Sequence, residues 1–232
     1  MAGLQTILNY CNGIAIDRRK IVGIQYTRNE IPRVSQTPTK NPWKFTVDMP
    51  NKFRYSQARD LMEQLDILDR ITPQIVTFSN LPQLSWIFAY QGAMTAPQLA
   101  TITVTSWVGT TLTLNVSGIT ASSTAVIFEP NDLIQIGSLG EYPYPFTSTT
   151  QVLRGSGSTV VVTTSRPNIL TGTLTGEGII VGNNCQFNMF CPNMPIYKLI
   201  PGGSISNGIT ITNNALIEWS DSFQFYEFVG DA

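Results

Sequence analysis

The chain of 232 residues contains no histidine. That removes the side chain that most often acts as a general base near neutral pH, together with histidine-based zinc and non-haem iron sites. Charge is also scarce: Asp, Glu, Lys and Arg together make up 12% of the residues, against roughly 25% in an average soluble domain. Cysteine is limited to Cys11, Cys185 and Cys191, an odd number without metal-ligand spacing. No apolar run approaches the ~18 residues of a membrane-spanning helix. The first twenty residues, MAGLQTILNYCNGIAIDRRK, place their basic residues last, the reverse of a secretory signal, so synthesis in a cytoplasm is expected.

What remains is 42% hydrophobic, enough for a normal core, with threonine, serine, asparagine and glycine supplying much of the rest. The sparse charge is unevenly spread. Residues 1–92 hold 11 basic and 7 acidic residues, net +4, whereas residues 93–232 hold 3 and 8, net −5. Compositional drift explains this, and so does a positive face on one copy meeting a negative face on another.

Most of the chain reads as sheet. LQTILNY and IAIDRRKIVGIQYTR flank Asn12-Gly13, a two-residue hairpin signal, and EIPRVSQTPTKNP reads as a loop or arm. In WKFTVDM, Trp43, Phe45 and Val47 alternate with Lys44, Thr46 and Asp48 as in a half-buried strand. QIVTFSN and LSWIFAYQG read as two further strands. The one helix expected spans about 56–71: Ser56 caps it, Ala58, Leu61, Met62, Leu65 and Leu68 form its apolar stripe, and Thr72-Pro73 ends it. Its opposite side carries Arg59, Asp60, Glu63, Gln64 and Asp66.

From residue 96 short strands follow one another: two around Gly109, two around Pro130-Asn131 and a hairpin at Gly155-Ser156-Gly157. Turn signals every 8–12 residues suggest a small barrel or sandwich. Beyond residue 173 the large aromatics of the first part return, with a second hairpin signal at Asn207-Gly208. Trp219, Phe223 and Phe225 alternate, and Tyr226 and Phe228 break the phase as a bulge would. The expected fold is mainly β, a barrel or sandwich with one packed helix. Residues 1–95 and 173–232 then form a discontinuous first domain, with 96–172 as an inserted small β module.

Motifs for chemistry are thin. GGSISNG and GSGSTV lack the strand-to-helix setting of a phosphate loop. Glu129, Asp132 and Glu141 are close enough in sequence for paired-carboxylate or calcium chemistry, and read better as solvated acids at strand ends. The basic run Asp17-Arg18-Arg19-Lys20, with Arg28 and Arg33 near Tyr10 and Tyr26, fits nucleic-acid contact, a charged edge strand or a subunit contact. Cys185 and Cys191 read as buried free thiols. The C-terminal aromatics suit core packing better than sugar stacking.

Long stretches resemble structural proteins from the tails of contractile-tailed bacteriophages. These are RRKIVGIQYTRNEIPR (18–33), TKNPWKFTVDMPNKFRYSQARDLMEQLDILDR (39–70) and FSNLPQLSWIFAYQG (78–92). EPNDLIQIG (129–137) and YPFTSTTQVLRGSGSTVVVTTSRPNI (144–169) are similar to a small β module of such proteins. MPIYKLIPGG and IEWSDSFQFYEFV resemble the return strands that close their first domain. The resemblance implies a split β-barrel with a helix across it, like that of distal tail proteins, repeated in a ring of six copies whose sheets continue between subunits. It implies a virion protein of the baseplate hub or of the ring joining tail tube and baseplate, assembled in the host cytoplasm. Its partners would be itself and other tail-tube and baseplate proteins, with no enzymatic activity, cofactor, metal, membrane or nucleic-acid sequence recognition. The expected contact residues are Arg18, Arg19, Lys20, Arg28, Arg33, Arg54, Arg59, Glu63, Asp66 and Arg70. An alternative makes the middle segment a carbohydrate-binding module serving host adsorption, gripping glycans through Trp107 and Tyr142 or Tyr144.

Overall fold

A computed structural model describes residues 3–18, 22–26, 32–36, 42–50, 53–54, 59, 62–63, 72–79, 81, 83–140, 143–200, 205–206, 209–210 and 216–229. The chain is mostly β. After helix α1 (Gly3–Tyr10) come β1 (Gly13–Asp17), β2 (Val22–Tyr26), β3 (Pro32–Gln36), β4 (Lys44–Asp48), β5 (Phe53–Arg54) and β6 (Gln74–Thr77). A helical turn, Ala96–Leu99, precedes β7 (Thr103–Val108), β8 (Thr111–Asn115), β9 (Val126–Phe128), β10 (Leu133–Ile136), β11 (Phe146–Thr147), β12 (Val152–Leu153), β13 (Thr159–Thr163) and β14 (Ile179–Val181). The last strands are β15 (Gln186–Phe190), β16 (Tyr197–Ile200), β17 (Ile205–Ser206), β18 (Ile209–Thr210), β19 (Leu216–Trp219) and β20 (Phe223–Glu227). Two compact units result: 1–18 with 42–76 and 189–228, and 19–41 with 77–188 and 229–232. Among the described residues the strands form separate sheets and no closed barrel.

In the first unit, α1 replaces the expected opening strand. Leu4, Ile7 and Leu8 are all buried, and their i, i+3, i+4 spacing is helical; it outweighs the hairpin signal of Asn12-Gly13. Gln74 Oε1 accepts the Leu4 N–H at 3.0 Å, satisfying one of the donors a helix start leaves open. Asn12-Gly13 therefore leads from a helix into β1, whose partner is β4, with Asp17 opposite Lys44. The stretch expected as one extended strand is also divided, β1 ending at Asp17 and β2 opening at Val22.

The five-stranded sheet has the order β1-β4-β20-β15-β6. On β4, Phe45 and Val47 are fully buried, continuing from Trp43, while Asp48 is exposed, as the alternation predicts. Strand β20 holds its phase to the end and does not bulge: Phe223, Phe225 and Glu227 are all buried. The third inward position is a carboxylate, so a pattern based on apolar residues misses it. Glu227 Oε2 accepts the Trp43 N–H at 2.9 Å, and the Glu227 N–H donates to Trp43 O at 2.9 Å. Strand β19 pairs with β16 and β5, and β17 with β18 across residues 207–208, in the register expected of the second hairpin. Of the expected helix, Arg59, Met62 and Glu63 are helical; its other stripe residues, Ala58, Leu61, Leu65 and Leu68, and its cap Ser56 lie outside the described residues.

The second unit contains the sheets β13-β8-β7 and β11-β10-β14 and the pairs β12-β9 and β2-β3. Pro32 opens β3 at a strand start, the position where a missing N–H is tolerated, so residues 32–36 of the segment expected as a loop or arm are strand; Pro38 lies outside the described residues. Strands β7 and β8 turn at Gly109, whose φ of 56° suits glycine. The expected hairpin at 155–157 joins two different ladders instead: β12 pairs with β9, and β13 with β8. The core gathers Val104, Trp107, Leu112, Leu114, Ile134, Ile136, Phe146 and Val162, with the Trp107 and Phe146 rings 4.5 Å apart. LSWIFAYQG is a run of turns, not a strand. Leu81 O accepts N–H bonds from both Leu84 and Ser85, and the Ile87 N–H donates to Leu84 O.

Replacing Glu227 by Ala leaves the buried Trp43 N–H without this acceptor and should destabilise the first unit by about 2–4 kcal/mol, whereas Glu227→Gln retains an acceptor oxygen and should lose about 1 kcal/mol. Urea unfolding of both variants checks the difference; equal losses would show that volume, not the acceptor, matters.

Candidate functional site

The ten residues expected to make subunit contacts divide into three groups. Arg18, Arg54, Arg59 and Glu63 are described and exposed. Arg33 lies on β3 opposite Gln25 of β2, with its backbone alone described. Arg19, Lys20, Arg28, Asp66 and Arg70 lie outside the described residues.

Local physics positions the first group. Arg18 follows β1, and its guanidinium carbon lies 5.6 Å from the centroid of the Trp43 ring, within cation–π range. Lys44, opposite Asp17, places Nζ 5.2 Å from the Tyr226 ring. Arg54 is exposed on β5, where the ladder sets it against Leu216 of β19. Arg59 and Glu63 are one helical turn apart, and Met62 beside them is buried. At the three described positions the apolar residue points inward and the two charged residues face solvent. Exposed charges of this kind add roughly 0–1 kcal/mol to the stability of the fold.

Sequence reading overlooked one charged pair. Lys198 and Glu218 face each other across β16 and β19, both exposed. The signal was available only through the register, since twenty residues separate them in sequence.

The acids singled out for chemistry are not arranged as solvated neighbours. Asp132 is buried: Oδ1 accepts the Gln91 N–H and Oδ2 the Glu129 N–H, each at 2.8 Å. Asn131, at φ 74°, forms the bend that turns this carboxyl inward. The Glu129 carboxylate accepts from Gln151 Nε2 at 3.0 and 3.2 Å. Glu141 lies outside the described residues. Among the described residues no group of three metal-ligating side chains is present.

The aromatics proposed for glycan contact are inside the core. Trp107 is 6% and Tyr144 4% exposed; Tyr144 donates to Pro167 O at 3.0 Å, and the Arg166 guanidinium lies 3.9 Å from its ring centroid. Neither ring offers a face to a sugar, and Tyr142 lies outside the described residues.

All three cysteines are buried and outside disulfides. Burial pushes the Cys11 thiol up to about 11, a backbone hydrogen bond opposes the shift and the Asp48 carboxylate adds to it. Burial also holds the Cys185 thiol well above its ordinary value, while its Sγ donates to Ile180 O at 3.3 Å. Neither sulfur becomes a nucleophilic thiolate near neutral pH.

No protein-family model matches this sequence, and no curated protein matches it.

Two measurements follow from the buried groups. At mildly alkaline pH a thiol reagent should find almost no reactive cysteine in the native chain and three after denaturation. Burial raises the Asp132 carboxyl above its ordinary value, against the opposing backbone donors, and the neighbouring Glu129 charge adds to the rise. The folded state thus binds this proton more readily than the unfolded chain does. Its contribution is fully present below the ordinary aspartate value and is lost as pH rises through the folded one. Urea unfolding between mild acid and neutrality should show wild type losing stability with rising pH more steeply than Asp132→Asn. Parallel curves would assign that slope to other groups.

Proposed function

We propose that this chain is a structural virion protein of a contractile phage tail, part of the baseplate hub or of the ring joining tail tube to baseplate. It works by self-association and by contacts with other tail-tube and baseplate proteins. The reading rests on the resemblance carried by residues 18–33, 39–70, 78–92, 129–137, 144–169 and the closing strands. The structural observation that favours it most is the exposed pair Arg59 and Glu63 beside the buried Met62. A helix held by its apolar side keeps its charges available to a neighbour without endangering its own packing.

In this proposal the two ends of the chain form a split barrel with residues 96–172 inserted as a small β module, and six copies close a ring. The scarcity of charge suits a surface mostly covered by neighbours. Arg18, Arg54, Arg59 and Glu63 supply the polar rim that fixes register, a role that also falls to Lys198 and Glu218.

Light scattering over a concentration series, with negative-stain imaging, should detect closed rings formed by the protein alone or on a tail-tube template. Exchanging the two charges, Arg59→Glu with Glu63→Arg, should move the melting temperature by no more than about 2 °C, as surface changes do. The same exchange should reduce ring yield at least tenfold, on the order of 1.4 kcal/mol of contact energy. Normal rings from the double variant would sink the assignment of these residues. A monomer that never joins a tail-tube template would sink the ring itself.

A further inference from the structure

Asn-Gly suits turns whose central residues need positive φ, yet neither Asn12 nor Gly13 adopts one. A Cβ on Gly13 would meet nothing nearer than Asp48 Oδ2, at 3.8 Å, an ordinary van der Waals separation. The backbone therefore does not require glycine at this position, and alanine fits. What the missing side chain leaves open is the approach of the Asn12 side chain to the Gly13 nitrogen.

Asn12 is exposed in the link between α1 and β1, and among the described residues nothing bonds to its side-chain amide. Other asparagines are pinned. Asn168 Nδ2 donates to Trp107 O at 3.1 Å, and its Oδ1 accepts the Leu170 N–H at 2.9 Å. Asn183 Nδ2 donates to Ser85 O at 2.7 Å, and Asn115 Oδ1 accepts the Ser117 N–H at 3.0 Å. The residues that follow these three are Ile169, Asn184 and Val116, whose side chains crowd the neighbouring nitrogen as glycine does not. Exposure, an unheld amide and a following glycine thus coincide at Asn12.

We propose that Asn12-Gly13 is a site of spontaneous deamidation in the folded chain, and that its product loosens β1 and uncovers Cys11. Hydroxide takes the Gly13 N–H proton, and the nitrogen attacks Asn12 Cγ. The Cγ–Nδ2 bond breaks, and a succinimide ring joins the two residues. The departing nitrogen takes a proton from water, which releases ammonia and regenerates hydroxide. A second water opens the ring at either carbonyl and leaves aspartate or isoaspartate. Both products bring a carboxylate to the start of β1, where Gly13 pairs with Asp48. Isoaspartate also routes the main chain through the former side chain and lengthens it by one carbon. That carbon enters between the buried Cys11 and the first rung of the β1–β4 ladder, at the residue whose N–H donates to Asp48 O at 2.7 Å. Strand β1 ends the sheet order β1-β4-β20-β15-β6, so its displacement leaves the other ladders paired. The modification is independent of the ring assembly proposed above.

The test is incubation of the full-length folded protein in warm, mildly alkaline buffer, followed by peptide mass mapping and enzymatic labelling of isoaspartate. The Asn12 peptide should convert from amide to acid at least about tenfold faster than the peptides holding Asn115, Asn168 and Asn183. Gly13→Ala should slow that conversion at least about tenfold with unaltered melting. Asn12→Gln, which must close a larger ring, should stay unmodified too. A thiol reagent should label Cys11 in aged wild type and spare it in fresh wild type and in aged Gly13→Ala. Equal rates at all four asparagines overturn the site, as does a Gly13→Ala chain that deamidates as fast as wild type. Conversion in urea but not in native buffer overturns it as well, because the fold then protects Asn12. A deamidated chain whose Cys11 stays shielded overturns the loosening of β1.

Discussion

The first unit depends on one long-range closure. Trp43 and Glu227, separated by 184 positions, exchange two hydrogen bonds, and between them they set β20 beside β4. Without that ladder β4 keeps only β1, and a two-stranded pair is marginal in water. With it, Phe45 and Val47 meet Phe223 and Phe225 in one buried layer. Closing so long a loop costs entropy that grows slowly with length. Non-local pairing of this kind also forms late, so the unit made from both chain ends should be the slower to fold.

The second unit solves a different problem. Its strands are short and several sheets are small, so side chains fasten the loops. The Arg154 guanidinium donates to Ile119 O, Gly155 O and Gly157 O, shaping the glycine turn before β13. The buried Arg166 donates to Pro145 O at 2.8 Å and stacks on Tyr144. Asp132 fastens the segment at Gln91 to the bend before β10, and Tyr90 donates to Ile127 O close by. Each of these charges acts as a backbone partner where strand pairing has run out.

That use of charge explains what could be read in advance and what could not. The mostly-β class, the half-buried β4, the strand pair at Gly109 and the buried thiols follow from alternation, turn chemistry and composition. Helix α1 was hidden because Asn12-Gly13 is a strong hairpin signal and eight residues give a short helical pattern. The turns at 83–88 were hidden because Leu84, Trp86 and Phe88 alternate like a strand, although Leu81 and Leu84 are spaced as turns require. The C-terminal phase is unbroken because Glu227, a carboxylate, takes the third inward position, while Tyr226 and Phe228, the aromatics read as a break, alternate on the other side. Of the candidate contact residues, exposure was legible for Arg18, Arg54, Arg59 and Glu63. The pairing of Lys198 with Glu218 was not, since only the register of β16 and β19 creates it.

The same economy bears on how each unit meets other molecules. In the first unit, Arg54, Arg59 and Glu63 remain at the surface, where contacts respond to ionic strength over a Debye length of about 8 Å at physiological salt. In the stretch 77–188 of the second, four of the six charged residues, Glu129, Asp132, Arg154 and Arg166, are engaged internally. Among the described residues of that stretch, what remains outside is largely hydroxyl, amide and isolated apolar side chains such as Trp86, Val108 and Val161. Hydroxyls and amides bind by geometry and stacking, which salt hardly alters. The exposed charges of the first unit and the hydroxyls and amides of residues 77–188 thus differ in chemistry, and salt dependence is the property that distinguishes which of them a given interaction uses.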